Sequence, residues 1–316
     1  MANFSLGRLR PQWLGILTVA VGYFIVAKLS FQIADASETV LPIWPPAGYS
    51  QGLLLLTGAT LAPGITLGSL LTTVTAGDPS WHRDIFAAAN NTLQPLLGLW
   101  LLRRVKFRPT LQQIKDVGAL IALGALVPAT LSATLGVTYF CLTARLSWAD
   151  YSGVWFSWWI GNVTGVVVIT PLIIAWRSGL RRFRTFYAPL LIGLWLVILV
   201  ALSWYVFCSS QRMESAPYPL DYVLFPVVLW GALRLGPWGA ALGTALVTVI
   251  TIGGALQGQG PFLAFTDDPI KAVQPLQAYI CVLAFTALIL AAVVAERADA
   301  IYARSLSNMK KALWRA

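Results

Sequence analysis

The sequence predicts an all-α polytopic membrane protein with about 8–10 transmembrane helices, some short or broken, and a C-terminal cytoplasmic helix. Hydrophobic residues make up 58% of the 316-residue chain and charged residues 11%, whereas soluble domains average about 45–50% and about 25%. Tryptophans such as Trp13, Trp81 and Trp148 stand at the ends of apolar runs, where amphipathic rings suit the headgroup layer. A soluble fold of this length could not bury so much apolar surface.

Ten apolar segments are long enough to cross or nearly cross a bilayer when tilt and short, broken spans are allowed. They cover roughly 12–34, 46–60, 62–77, 83–104, 113–141, 151–176, 187–208, 219–235, 237–256 and 273–295. Merging the short second and third segments with their neighbours leaves about eight spans, so both termini stay on one side. The pattern leaves open whether 46–60 crosses fully or forms a re-entrant half helix.

The basic residues predict the orientation of these segments. With the N-terminus inside, the clusters at 103–108, 181–184 and 297–315 all face the cytoplasm, and few basic residues face out. This positive-inside pattern predicts two cytoplasmic termini. It also accounts for the net charge of +10, so we expect membrane lipids and no nucleic acid as partners.

The stretch WPPAG, residues 44–48, marks a break between two apolar runs. Proline is tolerated in the first turn of a helix, so Pro45 and Pro46 predict a helix that starts near the outer surface. We expect Gly48 to permit close backbone approach, and the helix N-terminus to present unpaired N–H groups towards the interior. Broken helices of this kind build small-molecule sites in membrane proteins.

Polar side chains within the spans converge on one layer, about 5–17 Å below the predicted outer surface. Polar groups are costly in a bilayer and usually face the protein interior, so they indicate a cavity or a binding site. The alternative is that asparagine, glutamine and serine serve only as interhelical hydrogen-bonding groups. The predicted ligand-lining residues are Trp44, Gln51, Asn91, Trp159, Asn162 and Gln277.

Motifs for catalysis, cofactors and metals are not recognisable in the sequence. The glycine-rich stretch 253–262 lacks the Lys-Ser/Thr ending of a phosphate-binding loop. The three cysteines are far apart and show no metal-ligand spacing. We therefore expect no enzyme activity, no cofactor and no metal site.

A weak internal repeat relates the region from Trp44 to Gly68 to the region from Pro226 to Gly243. Each region contains a short span marked by proline and tryptophan, then a Gly/Pro break, then a glycine-rich span. The spacings differ, so the pattern alone does not establish a duplication.

An ordered series of motifs resembles the MASE1 family, the integral membrane sensor domains of bacterial histidine kinases, diguanylate cyclases and phosphodiesterases. The motifs are Trp44 to Gly48, Pro63-Gly64 with Leu67-Gly68, Asn91 to Leu93 followed by Leu101 to Arg104, Trp158 to Asn162 with Gly165 and Pro171-Leu172, Pro226 to Trp230 with Leu233 to Gly236, Gly260 to Phe262, Leu276-Gln277 and Glu296-Arg297. They span nearly the whole chain. An acidic residue often stands in the family at the position of Asn162, which is a departure here.

This resemblance implies a sensor domain over residues 1–297 and a cytoplasmic linker or signalling helix over 298–316. In the family, such a domain lies in the bacterial inner membrane and signals through its last helix to a cytoplasmic kinase or cyclase. No output domain follows in this sequence, so a standalone sensor, a truncated chain and a subunit with a separate partner are all open. The resemblance also implies a possible homodimer.

The leading hypothesis is therefore a sensory module that binds a small ligand in the outer half of the bilayer. Its signal would reach an output in cis or in trans, in a two-component or cyclic di-GMP pathway. A transporter or permease is the alternative, but it would need a polar path to the cytoplasm, and the inner halves of the spans are almost wholly apolar. A structural scaffold would have no cavity.

The C-terminal segment after Glu296 contains no proline or glycine, so we expect the last span to continue as a helix. Apolar and small residues recur there at three- and four-residue spacing, including Ile301, Met309 and Leu313. This stripe fits a short coiled coil. It fits equally well a stop-transfer tail whose basic residues bind anionic lipid.

Overall fold

A computed structural model of the protein describes residues 12–34, 43–76, 80–179, 188–208, 220–257, 259–262 and 269–313. Of the residues that the structure describes, 90% are helical and none lies in a strand. The predicted all-α membrane fold is thereby confirmed.

The helices follow the predicted segments closely. They are α1 (Gln12–Ala34), α2 (Pro45–Thr57), α3 (Ala62–Val74), α4 (Trp81–Arg104), α5 (Ile114–Ala119), α6 (Val127–Leu142), α7 (Tyr151–Gly179), α8 (Ala188–Cys208), α9 (Leu224–Leu235), α10 (Pro237–Leu256) and α11 (Pro269–Leu313). A π-helix, Leu120–Leu126, joins α5 to α6 without a break. The last span continues as a helix to Leu313, as predicted.

Six of the described helical stretches are long and apolar enough to span a membrane. They are α1, α5 to α6 with the π-helix between them, α7, α8, α10 and α11. By contrast, α2 and α3 have 13 residues each and α9 has 12. At about 1.5 Å per residue they extend only about 20 Å, so they are the short segments that the sequence predicts.

Two glycines separate the short helices from those that follow them. Gly58 ends α2 with φ 83° and ψ −176°, and Gly236 ends α9 with φ 68° and ψ −150°. Residues with a Cβ rarely adopt this backbone region, which is why glycine stands at both breaks. Each glycine also donates its N–H to the carbonyl four residues earlier, Leu54 in α2 and Ala232 in α9.

The helices on either side of these breaks form two units with the same pattern of contacts. In the first unit, α1–α4, the packed pairs are α1 with α3, α3 with α4, α2 with α4, and α1 with α2. In the second unit, α8–α11, the corresponding pairs α8 with α10, α10 with α11, α9 with α11, and α8 with α9 also pack. The structure thus extends the weak repeat in the sequence to four helices on each side.

The remaining helices join the two units. α7 packs against α2 of the first unit and against α10 and α11 of the second, and α6 packs against α4 and α7. We call the end of the bundle with Arg103, Arg104 and Gly58 the basic end. The opposite end, with Lys28 and Trp44, is called the cavity end.

The WPPAG stretch joins α2 to α7. A Cβ on Gly48 would overlap the carbonyl oxygen of Gly165, which confirms the predicted close approach. The Trp44 N–H donates to the Gly161 carbonyl at 3.0 Å, and Thr170 Oγ1 donates to the Gly48 carbonyl at 2.9 Å.

The prediction of free N–H groups at the start of α2 is wrong. Pro45 and Pro46 have no N–H, because their nitrogens are closed into rings. The next donor, the Ala47 N–H, already bonds the Trp44 carbonyl at 3.1 Å. The start of α2 therefore packs against α7 and has no free N–H groups with which to bind an anion.

Candidate functional site

A cavity of about 1150 Å³ lies at the cavity end, between the first unit and α6 and α7. Its lining comes from α1, the start of α2, α3, α4, the end of α6 and the first turns of α7. Every lining residue lies in the half of its helix nearer the cavity end, or at most at the midpoint, as Tyr23 does in α1.

Three helices each contribute one face to the wall. The lining residues on α3 are Ser69, Thr72 and Thr73; those on α4 are Arg83, Phe86, Ala87, Asn90 and Asn91; those on α7 are Ser152, Gly153, Val154, Ser157, Trp158, Gly161 and Asn162. Spacings of three and four residues put side chains on one side of a helix. Helix faces thus form most of the wall, and the segment between α6 and α7 adds Arg145, Leu146, Ala149 and Asp150.

The inner part of the cavity is polar and uncharged. Asn90 is 4% exposed and donates from Nδ2 to the Ser132 carbonyl at 3.2 Å, and Asn162 is 1% exposed and donates to the Trp158 carbonyl at 3.1 Å. Asn91 Nδ2 donates to Ser69 Oγ at 2.9 Å. The amide oxygens of Asn90 and Asn162 are buried without a hydrogen-bond partner.

Aromatic rings form much of the rest of the wall. Six aromatic residues line the cavity: Tyr23, Phe31, Trp44, Phe86, Phe140 and Trp158. The rings of Phe31 and Trp44 lie 5.6 Å apart, and those of Phe140 and Trp158 lie 5.7 Å apart. Such walls with a few placed polar groups are typical of small-molecule sites.

The charged groups of the lining lie near the mouth. They are Arg83, Arg145 and Asp150. Arg83 forms an ion pair of 2.9 Å with the buried carboxylate of Asp84. Among the described residues no group of three or more His, Cys, Asp or Glu could hold a metal ion.

Three of the residues predicted from sequence line this cavity: Trp44, Asn91 and Asn162. They come from the start of α2, the middle of α4 and α7. The structure thus brings them together around one space, as the polar layer in the sequence suggests.

The other three predicted residues lie elsewhere. Trp159 is one position beyond the lining Trp158, so its ring faces α6, where Nε1 donates to Thr130 Oγ1 at 3.1 Å. Gln51 is 1% exposed and packs against Gly98 of α4. Gln277 is fully buried on α11 and is not among the lining residues.

Sequence reasoning missed several lining residues, among them Ser69, Phe86, Ser157 and Trp158. Each belongs to one of the helix faces described above. A search for small and polar residues at three- and four-residue spacing within α3 and α7 would have found Ser69 and Ser157, whereas Phe86 and Trp158 have no such signal. Which of the adjacent Trp158 and Trp159 lines the cavity depends on the rotation of α7, which the pattern alone does not give.

Two of the hydrogen bonds between α11 and the rest of the bundle lie at opposite ends of the molecule. Near its start, Gln274 Nε2 donates to Oγ of the cavity-lining Ser157 at 3.2 Å. Near the basic end, Glu296 Oε2 accepts the N–H of Ile114, the first residue of α5, at 3.2 Å. One long helix therefore contacts both the cavity wall and the opposite end of the bundle.

Lys28 lies at the cavity end, outside the lining. Its Nζ donates to the carbonyl of Thr75, directly after the end of α3, at 2.9 Å. A cation near a helix C-terminus is favourable. Asp35 and Glu38, the acidic residues that next follow Lys28 in the sequence, lie outside the described residues.

A family model, MASE1, matches residues 13–298, which is nearly the whole chain. The resemblance seen in the sequence motifs is thereby confirmed. Among curated proteins and among solved structures, none matches the chain.

Proposed function

Because the chain belongs to the MASE1 family of membrane-associated sensor domains, we propose that it binds a small ligand in the described cavity and signals through α11. MASE1 is a sensory rather than a catalytic domain, and we propose no reaction. The observation that carries the proposal is the contact of α11 with the cavity wall, between Gln274 and Ser157.

The shape of the cavity favours a receptor over a carrier. A transporter needs a path that opens towards each side of the membrane in turn. The cavity lining stops at or before the midpoint of each helix that contributes to it. Beyond Asn162, α7 continues through buried apolar residues such as Val163, Val166 and Val167.

A ligand can act on α11 directly through α7. Ser157 lies on the lining face of α7, between Val154 and Trp158. A ligand that moves this face of α7 changes the geometry of the hydrogen bond between Ser157 and Gln274. The pose of α11 with this bond intact and the pose with the bond altered therefore have different affinities for the ligand. Such differential affinity is what a ligand-driven shift requires.

A second route runs through α6. Asn90 in the cavity donates to the carbonyl of Ser132 on α6. Towards the basic end, α6 continues through the π-helix into α5, whose first N–H bonds Glu296. π-Helical turns occur often at functional sites. We expect the backbone hydrogen bonds of this π-helix to shift register when a ligand binds.

The C-terminal end of α11 exposes apolar side chains that an output domain could contact. Ile301, Tyr302 and Met309 are 65%, 67% and 55% exposed on this helix. We propose that this stripe contacts a cytoplasmic kinase or cyclase output, in cis or in trans, or a second copy of α11 in a homodimer. The positive-inside pattern supports a bacterial inner-membrane location with both termini in the cytoplasm.

The test measures the pose of α11 when the cavity is filled by a side chain. Spin labels are placed at Val105 after α4 and at Tyr302 on α11, in a background without the native cysteines. Gly153 lines the cavity, and a Cβ there would meet open space, so Gly153→Trp adds an indole without a backbone collision. We expect it to shift the label-to-label distance distribution measured by electron spin resonance.

The control is Gly193→Trp on α8, because a Cβ at Gly193 also meets open space but Gly193 does not line the cavity. It should leave the distribution unchanged. Adding Gln274→Leu to Gly153→Trp should reduce the shift. Identical distributions in the wild type, Gly153→Trp and Gly193→Trp would contradict the proposal.

A further inference from the structure

The turn that follows α4 concentrates positive charge at the basic end of the bundle. Its cations are Arg103 and Arg104, the last two residues of α4, and Lys106 and Arg108 just after the helix. All four residues are exposed, and no carboxylate of the described residues forms an ion pair with any of them. Clusters of four or more Lys and Arg residues beside a membrane helix are typical of sites for anionic lipid.

The acidic residues next to this turn are bonded to backbone groups. Asp116 in α5 accepts the backbone N–H of Arg108 at 3.1 Å, and Glu296 in α11 accepts the first N–H of α5 at 3.2 Å. The cavity end differs, because there Arg83 forms an ion pair of 2.9 Å with the adjacent Asp84. Within the described part of the chain, the positive charge of the turn is therefore left for another partner.

The backbone of the turn places a lysine where glycine is usual. The Lys106 N–H donates to the Arg103 carbonyl at 3.1 Å, and the next N–H donates to the Leu102 carbonyl at 3.0 Å. This bonding pattern is common at helix ends that finish in a left-handed residue, most often glycine. Lys106 has φ 54°, which residues with a Cβ rarely adopt. Such strain is common at functional sites, so it indicates a use for the lysine side chain.

Trp100 adds an apolar surface beside these cations. It lies one helical turn before Arg104, whose guanidinium carbon is 4.8 Å from the centroid of the indole. Trp100 is 52% exposed, and Val105, directly after Arg104, is 49% exposed. A guanidinium that packs on an aromatic ring can still donate from its edge N–H groups to a phosphate. The surface therefore suits a molecule with an anionic head and an apolar tail.

Arg103 extends this surface towards α2, which packs against α4. Its Nη2 lies 3.1 Å from the position that a Cβ on Gly58 would take, so the guanidinium lies beside the break between α2 and α3. Cations from one turn thus stand over two neighbouring helices at the basic end.

We infer that the turn from Arg103 to Arg108 binds the head group of an anionic phospholipid, with the phosphate on the cations and the acyl chains against Trp100. An acidic peptide or a nucleic acid would bind the cations but would leave the exposed Trp100 and Val105 uncovered. A phospholipid covers both groups, because its phosphate is joined directly to its acyl chains. The site lies at the opposite end of the bundle from the cavity, so the inference goes beyond the proposed function and does not depend on it.

The probes are phosphatidylglycerol and phosphatidylcholine with the same oleoyl chains, which differ in net charge. Native mass spectrometry of the protein in a nonionic detergent counts the bound lipids during a titration with each probe. We expect phosphatidylglycerol to bind at least about tenfold more tightly, since each cation beside an anionic lipid contributes about fivefold to the affinity. Inorganic phosphate at millimolar concentration is the competitor, and it should not displace the lipid because it has no acyl chains.

Variants assign the binding to the turn. Arg103→Gln with Arg104→Gln removes two cations and should weaken phosphatidylglycerol binding at least about tenfold while leaving phosphatidylcholine unchanged. The control is Arg297→Gln with Arg304→Gln, which removes two exposed cations from α11 and should have little effect. Lys106→Gly provides the residue that this φ favours, so it should not lower thermal stability, yet it should weaken phosphatidylglycerol binding about fivefold.

Equal affinities for the two lipids would overturn the inference, and so would an equal loss in the α11 control. Displacement of phosphatidylglycerol by inorganic phosphate would indicate a phosphate site in which the acyl chains have no part, and would contradict the lipid assignment. Unchanged binding in both the double arginine variant and Lys106→Gly would show that the lipid binds elsewhere.

Discussion

The first unit (α1–α4) and the second unit (α8–α11) share one pattern of helix contacts but differ in how the short helix is connected. In the second unit Gly236 is both the C-cap of α9 and the N-cap of α10, and the two helices pack directly. In the first unit the 3-10 turn Ala59–Leu61 stands between α2 and α3, and α2 packs chiefly against α7.

The two units also differ in how tightly the space beside their helices is packed. In the second unit the buried ring of Trp195 fills the space beside Gly231 and Gly243, and its Nε1 donates to the Val227 carbonyl at 2.8 Å. In the first unit α3 and α4 border the cavity, whose other wall comes from α6 and α7. The extra turn between α2 and α3 thus accompanies an open cavity, and the direct connection between α9 and α10 accompanies a packed interior.

The largest effect should come from removing Trp195, which is packed inside the second unit, compared with removing Trp158, which lines the cavity from α7. Trp195→Ala leaves a hole in a packed interior and should lower the free energy of unfolding by about 3–5 kcal/mol. Trp158→Ala only enlarges an existing cavity and should cost about half as much. Unfolding in mixed micelles, followed by circular dichroism, measures both losses. An equal loss would contradict the distinction between the packed interior of the second unit and the open cavity.

The next largest effect is expected at the close contact between α2 and α7. Gly48→Leu drives a side chain into the backbone of Gly165, and a backbone carbonyl has little room to move. We expect a loss of about 3 kcal/mol. Gly193→Leu, where a Cβ meets open space, should cost no stability in the same unfolding assay, and a similar loss there would contradict the explanation.

At the two glycine breaks we expect losses of stability that are smaller than the loss at Gly48 and equal to each other. Gly58→Ala and Gly236→Ala place a Cβ in the same unfavourable backbone region, at φ 83° and 68°. Each should lower stability by about 1–2 kcal/mol. Thermal unfolding of the two variants in parallel is the measurement, and a difference between them larger than their common loss would mean that the breaks are not equivalent.

The smallest loss of stability is expected at the C-terminal end of α3, where Lys28 donates a hydrogen bond to the Thr75 carbonyl. Lys28→Gln removes the cation beside the Thr75 carbonyl and should cost about 0.3–1 kcal/mol. Lys28→Arg keeps the charge and should retain most of the stability. The comparison is made at low and high salt, since the electrostatic part should shrink as salt increases; a salt-independent loss would point to packing instead.

Much of the fold could be predicted from the sequence. Hydrophobic runs and Gly/Pro breaks, such as those at Pro45 and Gly236, placed nearly every helix, because hydrophobicity in a membrane protein is a strong and continuous signal. The asparagines at 91 and 162 pointed to the cavity because buried amides are rare in a bilayer. The contact pattern of the two units could not be read from Gly and Pro alone.

The rest of the site depends on the rotation of each helix. Trp158 and Trp159 are chemically the same, and only the packing of α7 against α2 turns the first towards the cavity. Gln51 and Gln277 are as polar as Asn91, but each is buried in a different helix contact. The π-helix and the bond between Glu296 and Ile114 arise from tertiary packing and leave no local sequence signal.

An open cavity lies between the first unit and α6 and α7, whereas the interior of the second unit is packed around Trp195. Two alanines test it, because Ala87 on α4 lines the cavity, whereas Ala284 on α11 is fully buried. In a background without the native cysteines, we expect Ala87→Cys to react with a water-soluble methanethiosulfonate reagent at least about tenfold faster than Ala284→Cys. Equal reaction rates would show that the cavity is closed to water.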